Sequence, residues 1–258
     1  MTAESARVRL QRTGRIARIL LDRPPLNVLD IPAILQLREA LSTVLAENEP
    51  DLIILAGAGD RGFSAGVDIK DHTPERVERM LSGFHAVFRA LASCDRISIA
   101  AVRGVCLGGG FELAACCDFV ICEESARLGL PEIDVGCFPP VAVAAFSDLV
   151  GAKRAAEWIL TGRPVTPREA HAAGLVTRLV PDGDLDWSVD ELAGTLLAKS
   201  SAVLRTTVRA LRGAGSPTFS AALERAERLY VDELLKTEDI HEGIASFIEK
   251  RKPSWKHR

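Results

Sequence analysis

The sequence predicts an α/β fold, with a mostly parallel buried sheet followed by an all-helical tail. Three observations predict it. Leu52–Ala56 is a short continuous apolar run and Ile97–Val102 is apolar but for Ser98, the mark of strands covered on both faces. Between them, Val77, Met80, Leu81, Phe84, Val87, Phe88 and Leu91 fall on one stripe of helical period. From about Val189 onward only helical periods remain, over 189–212, 218–236 and 239–250. Strands alternating with helices belong to a parallel sheet. The reading therefore divides the chain into a core at 1–188 and a helical region at 189–258.

The elements follow in order. Arg7–Leu10 and Ile16–Leu21 flank Gln11-Arg12-Thr13-Gly14 and read as a hairpin. Asp30 caps a helix with Pro32 in its first turn and Ile34, Leu37, Leu41, Val44 and Leu45 on its apolar face. Thr73-Pro74-Glu75 opens the helix that carries the long stripe. Gly108-Gly109-Gly110 precedes a helical Phe111–Cys116, and Phe119–Cys122 reads as a strand. Thr166-Pro167-Arg168-Glu169 has the form of a capping box, and Gly174 ends that helix. The chain shows no internal repeat and no flexible linker.

Composition narrows the function classes. The 258 residues carry 32 Lys+Arg against 35 Asp+Glu, a net charge of −3, with 47% hydrophobic residues. That excludes a disordered tail, a collagen-like chain and a low-complexity scaffold. The balance gives no reason to expect nucleic acid or an anionic membrane as partner. The start lacks the apolar segment of a secretory leader. No run approaches the roughly 18 apolar residues of a membrane span. The six cysteines contain no C-x-x-C pair, so neither a zinc ribbon nor a dithiol redox site is signalled. Reduced core cysteines, and hence a cytoplasmic location, fit best.

Three glycine motifs compete for a functional role. Gly57-Ala-Gly59-Asp-Arg-Gly62 follows a strand and matches a dinucleotide fingerprint. That mechanism needs a helix to open at once, with its N-terminus on the pyrophosphate. The next residues hold Gly66 and Pro74 and show no helical period before Val77, so a glycine-rich turn fits better. Gly62-Phe-Ser64-Ala-Gly66 matches a nucleophile elbow, with Asp134 and His171 as later partners in the order a hydrolase uses. Here too no helix follows directly, and no oxyanion loop lies upstream. Gly108-Gly109-Gly110-Phe-Glu112 can aim backbone N–H groups at an oxyanion. The same motif also marks a tight turn with a glutamate stabilising the helix dipole. Glu132 lies twenty residues beyond Glu112. Two carboxylates, two glycine-rich loops and no metal-ligand cluster point to general acid–base work on a carbonyl compound.

With these residues in view, the chain resembles the crotonase superfamily, the enoyl-CoA hydratases and isomerases. Five pieces match in order: Asp22-Arg23-Pro24 with Asn27; Phe63-Ser-Ala-Gly66-Val67-Asp68; Gly104-x-x-Leu-Gly108-Gly-Gly-x-Glu112-Leu; Leu128-Gly-x-Pro-Glu132; and Glu242-Gly with Phe247-x-Glu-Lys250-Arg. The resemblance covers essentially the whole chain. It implies a stacked ββα core and a helical C-terminal region that assembles homotrimers or homohexamers. It implies that the Val67 and Gly109 N–H groups form an oxyanion hole, which leaves the Val67 side chain free to vary. Glu112 would orient and activate a water and Glu132 would deliver the proton to carbon, the two titrating as a pair. Ala65, Asp68, Ile69 and Lys70 would border the acyl-CoA along a strand-loop, and Lys250 would reach CoA phosphates from a neighbouring subunit or remain a solvated lysine. No separate cofactor is implied, because coenzyme A is part of the substrate.

One stretch departs from the family pattern. Members often continue G-x-x-P-x-x-G-G after the second glutamate, whereas this chain has Gly136-Cys-Phe138-Pro139-Pro140-Val-Ala-Val. Phe138 and the two prolines make that wall of the acyl pocket stiffer and bulkier, which argues against straight-chain crotonyl-CoA. Asp71-His72-Thr-Pro74 with Met80-Leu81, and Leu229-Tyr230-x-x-Glu233-Leu234, resemble the cyclohexa-1,5-diene-1-carbonyl-CoA hydratases of aromatic degradation. His72 reads as a helix-entry histidine or a substrate contact. Short-chain enoyl-CoA hydration in fatty acid metabolism, double-bond isomerisation, acyl-CoA hydrolysis and non-catalytic CoA binding are the alternatives within this fold.

Overall fold

Continuous apolar runs have no polar face to give to water, so they take the interior positions of a sheet. In the computed structural model, which describes residues 6–214 and 218–255, Leu52–Gly57 (β3), Ile97–Val102 (β5) and Phe119–Glu123 (β7) hold those positions. The hairpin Val8–Thr13 (β1) and Ile16–Leu21 (β2) turns on Gly14, at φ 52°, and adds the antiparallel edge. Arg178–Val180 (β10) closes the other edge, giving the order β1-β2-β3-β5-β7-β10, parallel from β2 onward. Residues 1–5, on which the leader reading rests, lie outside the described residues.

A second sheet is absent from the sequence reading. Gly62–Ser64 (β4), Arg127–Gly129 (β8) and Val105–Leu107 (β6) pair in parallel in the order β4-β6-β8, and Pro164–Val165 (β9) adds an antiparallel edge. Each long strand thus hands over to a short strand of the other sheet and then to a helix. The handover needs glycine. A Cβ on Gly57 would stand 2.0 Å from the Gly62 carbonyl oxygen, and one on Gly104, at φ 56°, would stand 2.3 Å from that of Arg61. The dinucleotide-like motif is therefore the crossover from β3 to β4, with no helix opening on it.

The helices follow the apolar stripes. Ile31–Ala46 (α1) starts at Asp30, whose carboxylate accepts the Ala33 N–H at 3.0 Å. Val77–Ser93 (α2) begins later than Thr73-Pro74-Glu75 predicts. The Thr73 carbonyl accepts the N–H groups of both Arg76 and Val77, which makes those residues a preceding turn. Gly109–Ala115 (α3) follows β6, and Pro131–Val135 forms a 3₁₀ turn after β8. Pro140–Val150 (α4) and Ala152–Thr161 (α5) come next. Thr166 caps Pro167–Ala172 (α6) through the Glu169 N–H at 3.1 Å. The Glu169 carboxylate does not return to Thr166; it accepts from Trp158 Nε1 and Arg163 instead.

The tail begins inside the sheet's packing. Leu185–Leu197 (α7) covers the outer face of the large sheet, placing Leu185, Val189 and Leu192 against Ile54, Ile99 and Ile121. The expected boundary between 188 and 189 falls within this helix. A break at 198–200 separates it from Ser201–Ala214 (α8), so the predicted single segment 189–212 is two helices. Thr218–Asp232 (α9) packs on α4 and α2. Glu238–Ile248 (α10) lies on the 3₁₀ turn, where a Cβ on Gly243 would come within 2.3 Å of the Val135 carbonyl oxygen.

Candidate active site

The three short parallel strands end side by side, and each carboxyl end delivers one part of the site. After β4 come Ala65, Gly66 and Val67. After β6 come Gly108 and Gly109, with Glu112 one turn into α3. After β8 come Leu130, Pro131 and Glu132. The carboxyl edge of a parallel sheet is where α/β proteins place ligands. Here these residues, Leu130 apart, border a cavity of about 370 Å³, whose other walls include Phe138, Phe84 and Tyr230.

Two backbone donors meet there. Leu29 pairs with the segment around Val67: its N–H donates to the Gly66 carbonyl at 2.8 Å, and its carbonyl accepts from the Asp68 N–H at 3.0 Å. That pattern turns the N–H of Val67 itself to the opposite side. Gly109 is the first residue of α3, where N–H groups have no acceptor in a preceding turn. Among the described residues neither N–H donates to a backbone carbonyl. The two segments touch, because a Cβ on Gly66 would stand 3.1 Å from the Gly109 nitrogen. A Cβ on Gly109 would be 2.9 Å from the Phe84 ring and 3.0 Å from Val67 Cγ2, so only glycine fits.

The two glutamates flank these donors. Glu112 is 3% exposed, and its Oε1 accepts the Ala142 N–H at 2.8 Å, at the N-terminus of α4. Burial pushes its carboxyl up to about 7 against the lowering effect of the Ala142 and Val141 amides. Glu132 reaches across to Gly108, where a Cβ would stand 2.7 Å from its Oε1. Its Oε2 is buried without a hydrogen-bond partner. Burial first, and the charge of Glu112 second, push the Glu132 carboxyl well above its usual range. Among the described residues no cation pairs with either glutamate. Nor do any three His, Cys, Asp or Glu side chains converge as metal ligands.

This arrangement can place a water between two carboxyl groups whose pKa values burial raises, beside two donors for an oxyanion. The model of the enoyl-CoA hydratase/isomerase family matches residues 11–258. The chain belongs to that family. It is 34% identical over 255 residues to cyclohexa-1,5-dienecarbonyl-CoA hydratase of Thauera aromatica, covering 98% of this chain and 97% of the relative. It is 30% identical to crotonyl-CoA hydratase of Syntrophomonas wolfei, covering 95% and 96%. The fold matches that of a crystallised enoyl-CoA hydratase from Mycobacterium avium subsp. paratuberculosis, with a TM-score of 0.88, 28% identity and coverage of 97% and 98%.

In this family member the remaining predicted residues divide. Ala65, Ile69, His72 and Phe138 line the cavity. Asp68 and Lys70 do not. The Asp68 carboxylate is engaged by Arg23 at 3.4 Å and by the Lys70 N–H at 3.1 Å, in a 3₁₀ turn over Ile69–Asp71 where a strand-loop is expected. Lys250 lies just past α10 at φ 54°, outside the cavity wall of its own chain, whereas Arg251 is part of that wall and pairs with Glu242. Ser64 is buried, donates to the Asn27 carbonyl at 2.7 Å and accepts from the Gly66 N–H at 3.1 Å. It is a framework residue, so the nucleophile-elbow reading falls away. Sequence reasoning missed the Ala142 N–H that holds Glu112, and it missed His85. His85 sits four residues after Leu81 and three before Phe88 on the apolar stripe of α2, a spacing that already places an imidazole on the buried face.

Proposed function

We propose that this enzyme adds water to the conjugated double bond of an enoyl-CoA thioester. One observation carries the reading: a buried glutamate, Glu112, and a half-buried one, Glu132, neither paired with a cation, stand beside two unengaged backbone N–H groups at adjacent strand ends. A water lies between the carboxyl groups. Glu112, the more readily ionised, takes one proton as the water oxygen bonds to the β carbon. Negative charge moves onto the thioester oxygen, where the Val67 and Gly109 N–H groups receive it. One such donor is typically worth about 2.7–4 kcal/mol in the transition state. Glu132 delivers its proton to carbon, and the pair is left holding one proton, as before.

For the acyl group, we propose a cyclic dienoyl thioester of the cyclohexa-1,5-diene-1-carbonyl type. The 34% identical relative of that name supports it, as does the cavity wall of Phe138, Pro139 and Pro140, which suits a flat ring better than a flexible chain. Ala65 and Ile69 would border the thioester, with Asp68 and Lys70 near the CoA entrance. Lys250 would meet CoA phosphates across a subunit boundary in a homotrimer or homohexamer built on the helical region. The six free cysteines fit a reducing cytoplasm.

The test is a mass-resolved assay of the purified protein with crotonyl-CoA and cyclohexa-1,5-diene-1-carbonyl-CoA. Gain of one water, fastest on the cyclic diene, is expected. Faster hydration of crotonyl-CoA overturns the ring assignment. A shifted alkene without mass gain, or free CoA thiol, overturns hydration itself.

A further inference from the structure

A second polar group in the cavity has no part in water addition. His85, on α2, is fully buried and borders the cavity between Phe84 and Leu81. Its Nδ1 lies 2.6 Å from Glu227 Oε1 on α9, and Arg89 donates to both oxygens of the same carboxylate at 2.8 Å. Glu227 and Arg89 line a separate groove on the outer surface. The imidazole therefore stands between that groove and the cavity, with its bonded edge turned outward. Its Nε2 is buried and has no hydrogen-bond partner.

The tautomer follows from the partners. Glu227 is held below the usual carboxylate range by its hydrogen bond from His85, and the Arg89 contacts add to this, so it is an ionised acceptor. Nδ1 must then carry the hydrogen. Burial holds the imidazole below its ordinary pKa in spite of Glu227, so the ring is neutral at pH 7. Nε2 is consequently a bare acceptor. Tyr230 stands three residues after Glu227 on the same face of α9. Its buried hydroxyl meets the Cys137 thiol, and its ring meets Phe138 edge-on at 5.2 Å between centroids. An unpaired acceptor beside Leu81 and Phe84 in the cavity wall fits one substituent best. A hydroxyl donates its hydrogen to Nε2. A carbonyl or carboxylate would set acceptor against acceptor, and a hydrocarbon would leave Nε2 unpaired.

We propose that His85 is a specificity residue that accepts a hydrogen bond from a hydroxyl on the acyl group, and so selects hydroxylated enoyl-CoA thioesters. The proposal rests on the hydratase reading of the same cavity and adds a substituent to its substrate. Glu227 is the positioning residue that fixes the tautomer, and Arg89 keeps Glu227 ionised.

Binding separates this proposal from the hydratase reading, because saturated thioesters bind without reacting. Calorimetry on the full-length protein compares cyclohexanecarbonyl-CoA with its 3- and 4-hydroxy derivatives. At least about tenfold tighter binding of one hydroxylated thioester is expected, since a site built around a substrate hydroxyl discriminates strongly against its absence. In His85→Phe that ratio should fall to about one, and His85→Gln, which keeps an acceptor, should retain part of it. A purely structural His85 would weaken all thioesters alike and leave the ratio unchanged. Equal binding by the unmodified protein, or a ratio that survives in His85→Phe, overturns the proposal. Should His85→Phe not fold, the ratio in the unmodified protein and in His85→Gln decides alone. Failure to hydrate any enoyl-CoA, with the ratio intact, would overturn the hydratase reading and leave the hydroxyl site standing.

Discussion

Asp51 and the glutamate pair of the cavity take carboxylates out of water in opposite ways. Asp51, just before β3, is 2% exposed and surrounded by donors. Arg15 Nε reaches it at 2.5 Å, Arg205 Nε at 2.8 Å, and the Ser201 hydroxyl completes the set. Burial alone would raise its pKa, but Ser201, Arg205 and Arg15 outweigh burial and hold it below the usual 3.8. Glu112 and Glu132 have burial without cations, and both are pushed up. Asp51 ties the first hairpin and α8 to the amino end of β3, in the interior of the large sheet. The glutamates tie nothing together beyond the α4 amides that Glu112 accepts. A fully partnered buried acid holds a fold in one arrangement, whereas an under-partnered one keeps a proton available near neutral pH.

The sharpest way to break this contrast is to neutralise each acid in turn. Glu112→Gln and Glu132→Gln should each lower hydration turnover by about 10²–10⁴-fold, the usual share of one acid–base group. Near-unchanged turnover in both variants would remove the glutamates from the chemistry. The Asp51→Asn variant should keep its turnover per folded molecule.

Stability should respond with the opposite sign. The folded Glu112 carboxyl sits at about 7 against an ordinary 4.5. Its contribution is intact below pH 4.5 and is lost as pH rises through 7. At about 1.4 kcal/mol per pKa unit, the Glu112→Gln variant should gain about 3 kcal/mol on the parent between pH 4.5 and pH 8. Denaturant melts at the two pH values measure the gap, and a gap that shrinks with pH contradicts the assignment. Asp51→Asn should instead cost about 3 kcal/mol at pH 7, near the low end for breaking a buried ion pair, because Arg15 and Arg205 keep some contact with water. Since the Asp51 pKa is lowered, its contribution is present above pH 3.8 and fades as pH falls through the folded value. The deficit of Asp51→Asn should therefore narrow in acid.

How much of this was legible in the sequence depended on length and period. The apolar runs of β3 and β5 and the stripe of α2 declare themselves over six or more residues. The strands β4, β6 and β8 are three residues each, too short for a period of two to register, and their pairing depends on crossover glycines whose role appears only when two backbones meet. Glu112 stood out because it follows three glycines. Glu132 stood out only as a second carboxylate, and the family resemblance gave it a role, since nothing in the nineteen intervening residues says that β6 and β8 end side by side. In the turn after α10 Arg251 lines the cavity of its own chain, whereas Lys250 is expected to act on a neighbouring subunit. Asp51 carried no signal at all. Its donors come from positions 15, 201 and 205, and only tertiary packing joins them.

The smallest test of the contrast removes a single donor and leaves the charge in place. Ser201, at the start of α8, gives Asp51 one hydroxyl hydrogen bond while both arginines remain. A hydrogen bond to a charged group is worth about 1.5–3 kcal/mol, and partial compensation by the arginines puts Ser201→Ala near the bottom of that range. The variant should melt slightly lower than the parent at pH 7 and turn over substrate at the same rate, because α8 packs on the face of the large sheet remote from the short-strand ends. A loss as large as that of Asp51→Asn would mean that Ser201 positions the carboxylate for both arginines. The Asp51 cluster would then be a cooperative network, and its pairs could not be counted separately.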